Sequence, residues 1–520
     1  MITVAALSGP LPKLGVVAVA ALAATALVLR DGRPRAGAML GALLLAPVLL
    51  LAAIWHSPQL NQLHHHPLRG GSVAVVGLLA LAGLAFVIYR RFWLLAPLIV
   101  FTLPFRIPIS AGGTTSNLLV PLYLVVAAGT LAFLVPQLRR SRSAGPRGDG
   151  VIGVTGPPGW VERLLALYVV IYALQAIYSP SFEKALQQMV FFYVPFALLF
   201  CLLRRLRWTS LLVRRCVLVL VPLALIFCMI GFAEYATKTL LLNPKLIAEN
   251  NVHTYFAINS VFFDPDIFGR FLALVMVIVT TVLVYARRQR LQLWTIGALA
   301  VLWAGLVLTL SRSSLAALLV GLGVLGAMRW RARPILLSAV AVVVIGIAAL
   351  VISPRTFGLN QGLNGASSGR AGLISGGLRL FSERPVWGYG SAAFEHEYLC
   401  RIKHQCGPAS TTSQTLSASH TIAVTVAAEQ GVIGEIPYLA LVIVAAIVLT
   451  QGARLDPARV AVAAAFLALV FHTQLYADFL EDPVSWTLLG IGTALAAGAT
   501  ERSRLRPARA GAVATLAAAE

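Results

Sequence analysis

The sequence predicts an all-α polytopic membrane protein with about 12–15 transmembrane helices and a large folded extracytoplasmic loop. The 520 residues are 59% hydrophobic and only 12% charged, whereas soluble domains carry roughly 25% charged residues. Apolar runs close to the roughly 20 residues that a helix needs to cross a bilayer recur along the whole chain. These runs do not alternate apolar and polar residues as barrel strands do, so helices are predicted.

The formal net charge of +22 does not predict nucleic-acid binding. The basic residues lie in short clusters between the apolar runs, where membrane topology places them, and not in one patch. The five cysteines are too few to form a disulfide scaffold.

The connections between the apolar runs alternate between arginine-rich and arginine-poor. By the positive-inside rule, the arginine-rich connections are cytoplasmic and the others face outward. The predicted transmembrane segments are 14–29, 36–54, 72–89, 92–105, 118–136, 161–178, 187–203, 216–234, 267–285, 291–310, 314–328, 335–353, 437–450, 460–476 and 484–499.

One outward connection is far longer than the others and contains several aromatic residues, so we expect a folded cap with short helices. The predicted regions are N-terminal transmembrane helices (1–137), a cytoplasmic linker (138–160), central transmembrane helices (161–353), the large extracytoplasmic loop (354–436), C-terminal transmembrane helices (437–499) and a cytoplasmic tail (500–520).

Three cationic side chains mark the outer ends of predicted helices. Arg312 lies in a tight connection between two apolar runs, Arg370 opens a helix-like stretch of the large loop, and His420 precedes another apolar run. An arginine at a membrane edge is often a snorkelling anchor, and a loop arginine or histidine often has a solvation or structural role. Together, however, two arginines and a histidine can bind a pyrophosphate and deprotonate a hydroxyl.

An ordered series of short motifs resembles the O-antigen ligase and O-antigen polymerase superfamily of Wzy type. The resemblance covers roughly 260–450. The segments that carry it are Phe262 to Asp266, Leu308 to Ser314, Ser368 to Arg370, Arg384 to Gly390, Ser419 to His420, and Glu429 to Gly434. Asp266 and Thr421 stand where the family usually has asparagine.

The resemblance implies transfer of a glycan from an undecaprenyl-pyrophosphate-linked donor to an acceptor hydroxyl, on a glycan or a lipid, at the outer face of the membrane. It implies a multi-pass protein of the cell inner (plasma) membrane that contacts membrane lipids and uses no cofactor, metal or nucleic acid. Arg312 and Arg370 would hold the pyrophosphate, and His420 would act as a base or orient the acceptor. Both a ligase and a polymerase fit these residues.

The alternative is a transporter, such as a lipid-linked glycan flippase or a small-anion carrier. A transporter is expected to place ionisable residues near the bilayer midplane. The predicted helices are nearly free of them, since Arg270 and Glu234 lie within about a turn of the outer ends. An enzyme is therefore favoured.

The remaining polar motifs are expected to have structural roles. His64–His66 and Glu395–Glu397 resemble metal-binding tracts, but solvated loops are the simpler interpretation. Asp264 and Asp266 flank a proline, which indicates a helix N-cap. Cys400 and Cys406 lie in the outward loop and are expected to form a disulfide rather than free thiols or, with His404, a metal site.

Overall fold

The computed structural model describes residues 9–30, 32–54, 67–111, 114–139, 158–242, 256–330, 370–406, 418–476 and 479–499. Almost all of this part of the chain is helical, which confirms the predicted all-α polytopic membrane protein. The helices are α1 (Pro10–Val28), α2 (Arg33–Ile54), α3 (Pro67–Arg90), α4 (Leu95–Thr102), α5 (Val120–Arg139), α6 (Trp160–Ala176), α7 (Phe182–Gln188), α8 (Val194–Arg205), α9 (Ser210–Thr237), α10 (Pro265–Tyr285), α11 (Gln289–Leu308), α12 (Arg312–Arg329), α13 (Arg370–Glu383), α14 (Phe394–Glu397), α15 (Ile422–Thr450), α16 (Pro457–Thr473) and α17 (Pro483–Ala499).

Short 3₁₀ or π segments join or follow several of these helices. A π segment, Met189–Tyr193, makes α7 and α8 one continuous span, and another, Tyr398–Ile402, follows α14. The 3₁₀ turns are Phe92–Leu94 and Ala453–Leu455.

Eight helical spans of the described chain are long and apolar enough to cross a membrane. A further candidate consists of α3 and α4, which meet at an angle of 111°, and the helices Val120–Val135, Pro457–Thr473 and Pro483–Ala499 are shorter apolar segments. Every predicted segment coincides with a helix except 335–353, which lies outside the described residues.

A short antiparallel hairpin interrupts the helical pattern after α4. Strands β1 (Ile107–Ala111) and β2 (Thr114–Leu118) pair from Ile107 with Leu118 to Ala111 with Thr114. The sequence predicted only an irregular outward loop here. The β-branched threonines and isoleucines of the two segments favour the extended conformation.

Helix α15 begins much earlier than the predicted segment 437–450. It starts at Ile422, inside the region predicted as loop, and contains a break at Gly431, whose φ of 61° is not helical. The break divides α15 into an outer segment, 422–430, and a membrane segment, 432–450. Helix α13 packs against α15, and backbone hydrogen bonds with residues 385–390 pair the polar groups at the break.

Helices α10, α12 and α16 pack against one another and position the polar cluster described below. Their approach is close because small residues line the contact. A Cβ atom on Gly269 of α10 would lie 2.8 Å from the hydroxyl of Ser314 on α12. The start of α10 therefore lies directly against the start of α12.

Candidate functional site

The start of α10 supplies the carboxylates of the site. Asp264 is the N-cap of the helix, and its Oδ1 accepts a hydrogen bond of 2.7 Å from the backbone N–H of Asp266, as the sequence predicted. The Asp266 carboxylate then accepts hydrogen bonds from the hydroxyls of Ser311 and Ser313, the latter at 3.1 Å. The tight connection before α12 is thereby fixed to α10.

Arg312 and Arg370 both lie near this carboxylate. The Nη2 atom of Arg370, the first residue of α13, is 3.6 Å from Oδ2 of Asp266, and both side chains remain partly exposed. Arg312 is the first residue of α12 and is exposed, while Ser311 and Ser313 on either side of it bind Asp266. Two arginines thus stand at helix N-termini, where the helix dipole also favours anions.

His420 is held on a fixed loop just before α15. Its backbone lies in the left-handed region, with φ of 59°, which is rare for a residue other than glycine. Buried Ser419 bonds to the hydroxyl of Thr425 at 2.9 Å, and Thr421 donates to the carbonyl of Gln474 at 3.0 Å. Strained backbone of this kind persists only where the surroundings determine it, and such residues cluster at functional sites.

Tyr476, just after α16, connects the histidine to the carboxylates. Its ring lies edge-on to the His420 ring at a centroid distance of 5.9 Å, and its hydroxyl donates to Oδ2 of Asp264 at 2.7 Å. The structure therefore brings all three predicted residues to the Asp264–Asp266 segment. Arg370 contacts it directly, Arg312 through its neighbouring serines, and His420 through Tyr476.

Two further residues of the site, His472 and Tyr476, were not predicted from the sequence. His472 is fully buried on α16, its Nε2 lies 3.3 Å from the hydroxyls of both Ser313 and Ser314, and its ring lies 5.9 Å from that of Tyr476. The available signal was a histidine at the end of an apolar helix, which is a default marker of function in membrane proteins.

Asp264 has an environment that disfavours its charge. Burial and the neighbouring Asp266 carboxylate raise the pKa of Asp264, while the hydrogen bond from Tyr476 acts in the opposite direction. The two aspartates thus differ: Asp266 faces a guanidinium, and Asp264 faces a phenol. Asp266 is the one that pairs with Arg370.

A mainly apolar cavity of about 250 Å³ lies beside this cluster. It extends from Arg270, near the start of α10, and Asp482, just before α17, to Trp208, just before α9, and Pro457, the first residue of α16. Arg270 and Asp482 are buried and form an ion pair of 2.6 Å. One end of the cavity is thus lined by an ion pair, and the rest of its lining is mainly apolar.

Residues 297–439 match the family model described as O-Antigen ligase. The match confirms the resemblance predicted from the sequence and contains Arg312, Arg370 and His420. No curated protein matches the chain. A match to this family supports a membrane glycan ligase or polymerase.

The O-antigen ligase region also contains two glycine motifs that interlock. We call residues 385–390 and 428–433 together the latch. Four backbone N–H groups donate across it: Gly390 to the carbonyl of Glu429 at 2.7 Å, Tyr389 to that of Ala428 at 3.3 Å, Val432 to that of Pro385 at 2.8 Å, and Ile433 to that of Val386 at 3.4 Å. These bonds occupy polar groups that the break in α15 leaves without helical partners.

Both central glycines of the latch are required by its geometry. Gly388 and Gly431 have φ of 64° and 61°, and a Cβ atom on either would lie within 2.4 Å of a carbonyl oxygen, that of Glu429 or Val386. The buried Glu429 carboxylate accepts from the N–H groups of Ala392 and Phe394 at 2.9 and 3.0 Å. Gly388, Glu429 and Gly431 therefore hold the backbone of the latch together.

The cap of the O-antigen ligase region carries the predicted disulfide. Cys400 and Cys406 are bonded, with their Cα atoms 4.3 Å apart. The prediction that Glu395–Glu397 is a solvated loop is wrong. These residues form α14, where buried Glu395 pairs with Lys184 at 3.1 Å and buried Glu397 pairs with Arg401.

The sequence favoured solvated loops over metal sites for the His64–His66 and Glu395–Glu397 segments. His64–His66 lie outside the described residues. Among the residues that the structure does describe, no group of three His, Cys, Asp or Glu side chains is placed to hold a metal ion.

Proposed function

We propose that the protein transfers a glycan from an undecaprenyl-pyrophosphate-type lipid donor to an acceptor hydroxyl at the outer face of the plasma membrane. The observation that carries this proposal is the convergence of Arg312, Arg370 and His420 on the Asp264–Asp266 segment. These residues come from three distant parts of the chain, yet they combine two cationic side chains with one imidazole that can act as a base.

The chemistry requires a base and a place for the leaving group. The acceptor hydroxyl gives its proton to His420, its oxygen attacks the anomeric carbon, and the bond from that carbon to the pyrophosphate oxygen breaks. The lipid pyrophosphate leaves with the bonding electron pair, and the guanidinium groups of Arg312 and Arg370 stabilise its charge through forked hydrogen bonds. The step needs no nucleotide.

The apolar cavity supports a lipid-linked donor. Its wall is built from α9, α10, α16 and α17, and its polar end at Arg270 lies one helical turn from Asp266. A polyprenyl tail in this cavity would leave the pyrophosphate at the level of the arginines. The acceptor, whether a lipid or a growing glycan, would approach from the cap.

Reconstitution in liposomes with a lipid-pyrophosphate glycan tests the proposal. We expect acceptor-dependent loss of the lipid-linked glycan and appearance of a new glycosidic product, detected by mass spectrometry. One added unit on a distinct acceptor indicates a ligase, and a ladder of repeats indicates a polymerase. Movement of intact donor between leaflets without a new bond would favour the transporter and contradict the proposal.

The proposed reaction gives no role to a metal ion. Transfer in the same liposomes should therefore persist after treatment with EDTA. A loss of activity that returns on adding a divalent cation would contradict this part of the proposal.

The outward orientation of the site follows from the arginine distribution. Single cysteines at positions 145 and 365 test it in intact cells with a membrane-impermeant maleimide. We expect labelling at 365 and protection at 145. The reverse pattern would place the site on the cytoplasmic side and would contradict the use of an outward-facing donor.

A further inference from the structure

Val386 and Trp387 form the exposed tip of the latch. Their side chains are 51% and 63% exposed, whereas Gly388, Tyr389 and Gly390, which follow them in the latch, are buried. Large apolar side chains at the tip of a polar, water-facing cap are unusual unless another apolar phase covers them. Every other part of the latch is explained by backbone pairing, but this pair of side chains is not.

The backbone of this tip is fixed at the outer ends of two helices. The carbonyl of Trp387 accepts from the Tyr178 hydroxyl at 2.6 Å and from Gln175 Nε2 at 3.3 Å, both at the end of α6. On the other side, the N–H of Ile433 bonds to the carbonyl of Val386 at the break in α15. The tip therefore cannot move independently of these helix ends.

The lengths of these helices set the depth of the tip. The membrane segment of α15, 432–450, is about 28 Å long at roughly 1.5 Å per residue, close to the roughly 30 Å of a bilayer core. Its lower end is followed by Arg454 and Asp456, which mark one membrane surface. The upper end, where Val386 is bonded, then falls at the opposite interface. Helix α6, about 25 Å long by the same rise, gives the same level for Tyr178.

The surface around the tip is continuous with the lipid-facing wall of the bundle. Tyr178, Val432 and Ile436 are exposed apolar or aromatic side chains at and just below the tip, and Ile436 is 61% exposed. Tryptophan and tyrosine are enriched at membrane interfaces, because their rings are apolar and their N–H and O–H groups reach water. The tip has this chemistry and lies at this level.

We propose that Val386 and Trp387 insert into the interface of the outer leaflet and seat the cap on the bilayer. The partner is the glycerol and upper acyl region of the phospholipids. This contact fixes the height of the cap above the membrane and so the height of Arg370, since α13 leads directly from Arg370 into the latch. The inference does not depend on the proposed reaction.

Spin labels in lipid nanodiscs test the insertion. The protein carries Cys201→Ala, Cys216→Ala and Cys228→Ala, and a single nitroxide replaces Trp387. Matched labels replace Arg379, exposed on the cap, and Ile443, exposed midway along α15. We expect oxygen accessibility at 387 to lie between the two controls and nickel-complex accessibility to be well below that at 379. Values at 387 equal to those at 379 would overturn the proposal.

A second measurement avoids any effect of the labels on folding. Trp387→Phe leaves the backbone hydrogen bonds of the tip intact. In lipids brominated near the head group, the fluorescence difference between wild type and this variant should shrink relative to unbrominated lipids. An unchanged difference would contradict insertion. A difference that responds only to soluble oligosaccharide would assign the tip to glycan binding and also overturn the proposal.

Discussion

The cluster around Asp266 and the latch differ in what they expose. The cluster at Asp266, with Arg312, Arg370 and His420, leaves charged or titratable side chains partly accessible on fixed backbone. The latch does the reverse, since it buries glycines and pairs backbone groups between two segments. The motif residues therefore fall into two sets: one presents reactive side chains, and the other holds the backbone of the cap in place. Substitutions in the first should reduce activity, and substitutions in the second should reduce stability.

His420→Ala is expected to give the largest effect on the chemical side. Loss of a general base typically lowers the rate by roughly 10²–10⁴-fold. The thermal unfolding temperature should change little, because the ring is only half-buried. Transfer is measured in liposomes beside the control His396→Ala, which removes an exposed cap histidine. Near-normal transfer by His420→Ala with a verified donor would refute the role of this histidine.

Arg312→Lys keeps the positive charge and so tests whether the shape of the guanidinium group is needed for activity. A lysine is a point charge and cannot form the forked pair of hydrogen bonds of a guanidinium. We expect kcat/KM to fall roughly 10–100-fold, the equivalent of about 1.5–3 kcal/mol for hydrogen bonds to a charged group. Arg379→Lys on the cap, whose partner is Glu383, serves as the control and should be nearly neutral. Equal effects of the two variants would contradict a phosphate-binding fork.

Gly431→Ala tests the contribution of the latch to stability. The added Cβ atom would meet the Val386 carbonyl at 2.4 Å, and the left-handed backbone adds strain of roughly 1–3 kcal/mol. The unfolding temperature in detergent should fall clearly. Gly297→Ala on α11, where nothing lies within 4 Å of the new Cβ, should leave it unchanged or slightly raised. Unfolding temperatures that do not differ between the variants would show that the latch does not support the cap.

The disulfide should have the smallest effect. Cys400→Ala with Cys406→Ala opens a short loop, so the loss of stability should be below the roughly 3 kcal/mol expected for a fifteen-residue loop. Transfer should persist, because neither cysteine belongs to the polar cluster. Non-reduced peptide mapping of the wild type checks the bond itself, and free alkylated Cys400 and Cys406 would contradict it.

The helices were predictable because each satisfies its backbone internally and exposes apolar side chains to lipid. The start of α15 was not, because Gly431 and Gly434 disfavour a helix and the backbone groups at the break are paired by the distant segment 385–390. Strands β1 and β2 were missed for a related reason, since two short segments become a hairpin only by pairing with each other.

Three members of the site were predictable from their residue types, and two, His472 and Tyr476, were not. Arginine suits the binding of phosphate oxygens and histidine suits proton transfer, so Arg312, Arg370 and His420 could be proposed from residue type alone. The roles of His472 and Tyr476 depend on contacts across long stretches of chain, to Ser313 and Asp264. Such contacts follow from helix packing and have no local sequence signature. Whether the three predicted residues act in catalysis remains a prediction.

The ion pair between Asp266 and Arg370 has a consequence for turnover. In the proposed reaction, a bound pyrophosphate would compete with the Asp266 carboxylate for the Arg370 guanidinium, so arrival of the donor would replace one anion with another. When the leaving group departs, Arg370 would pair again with Asp266 and would keep an ionic partner. Such an internal competitor would weaken the binding of the product and speed its release.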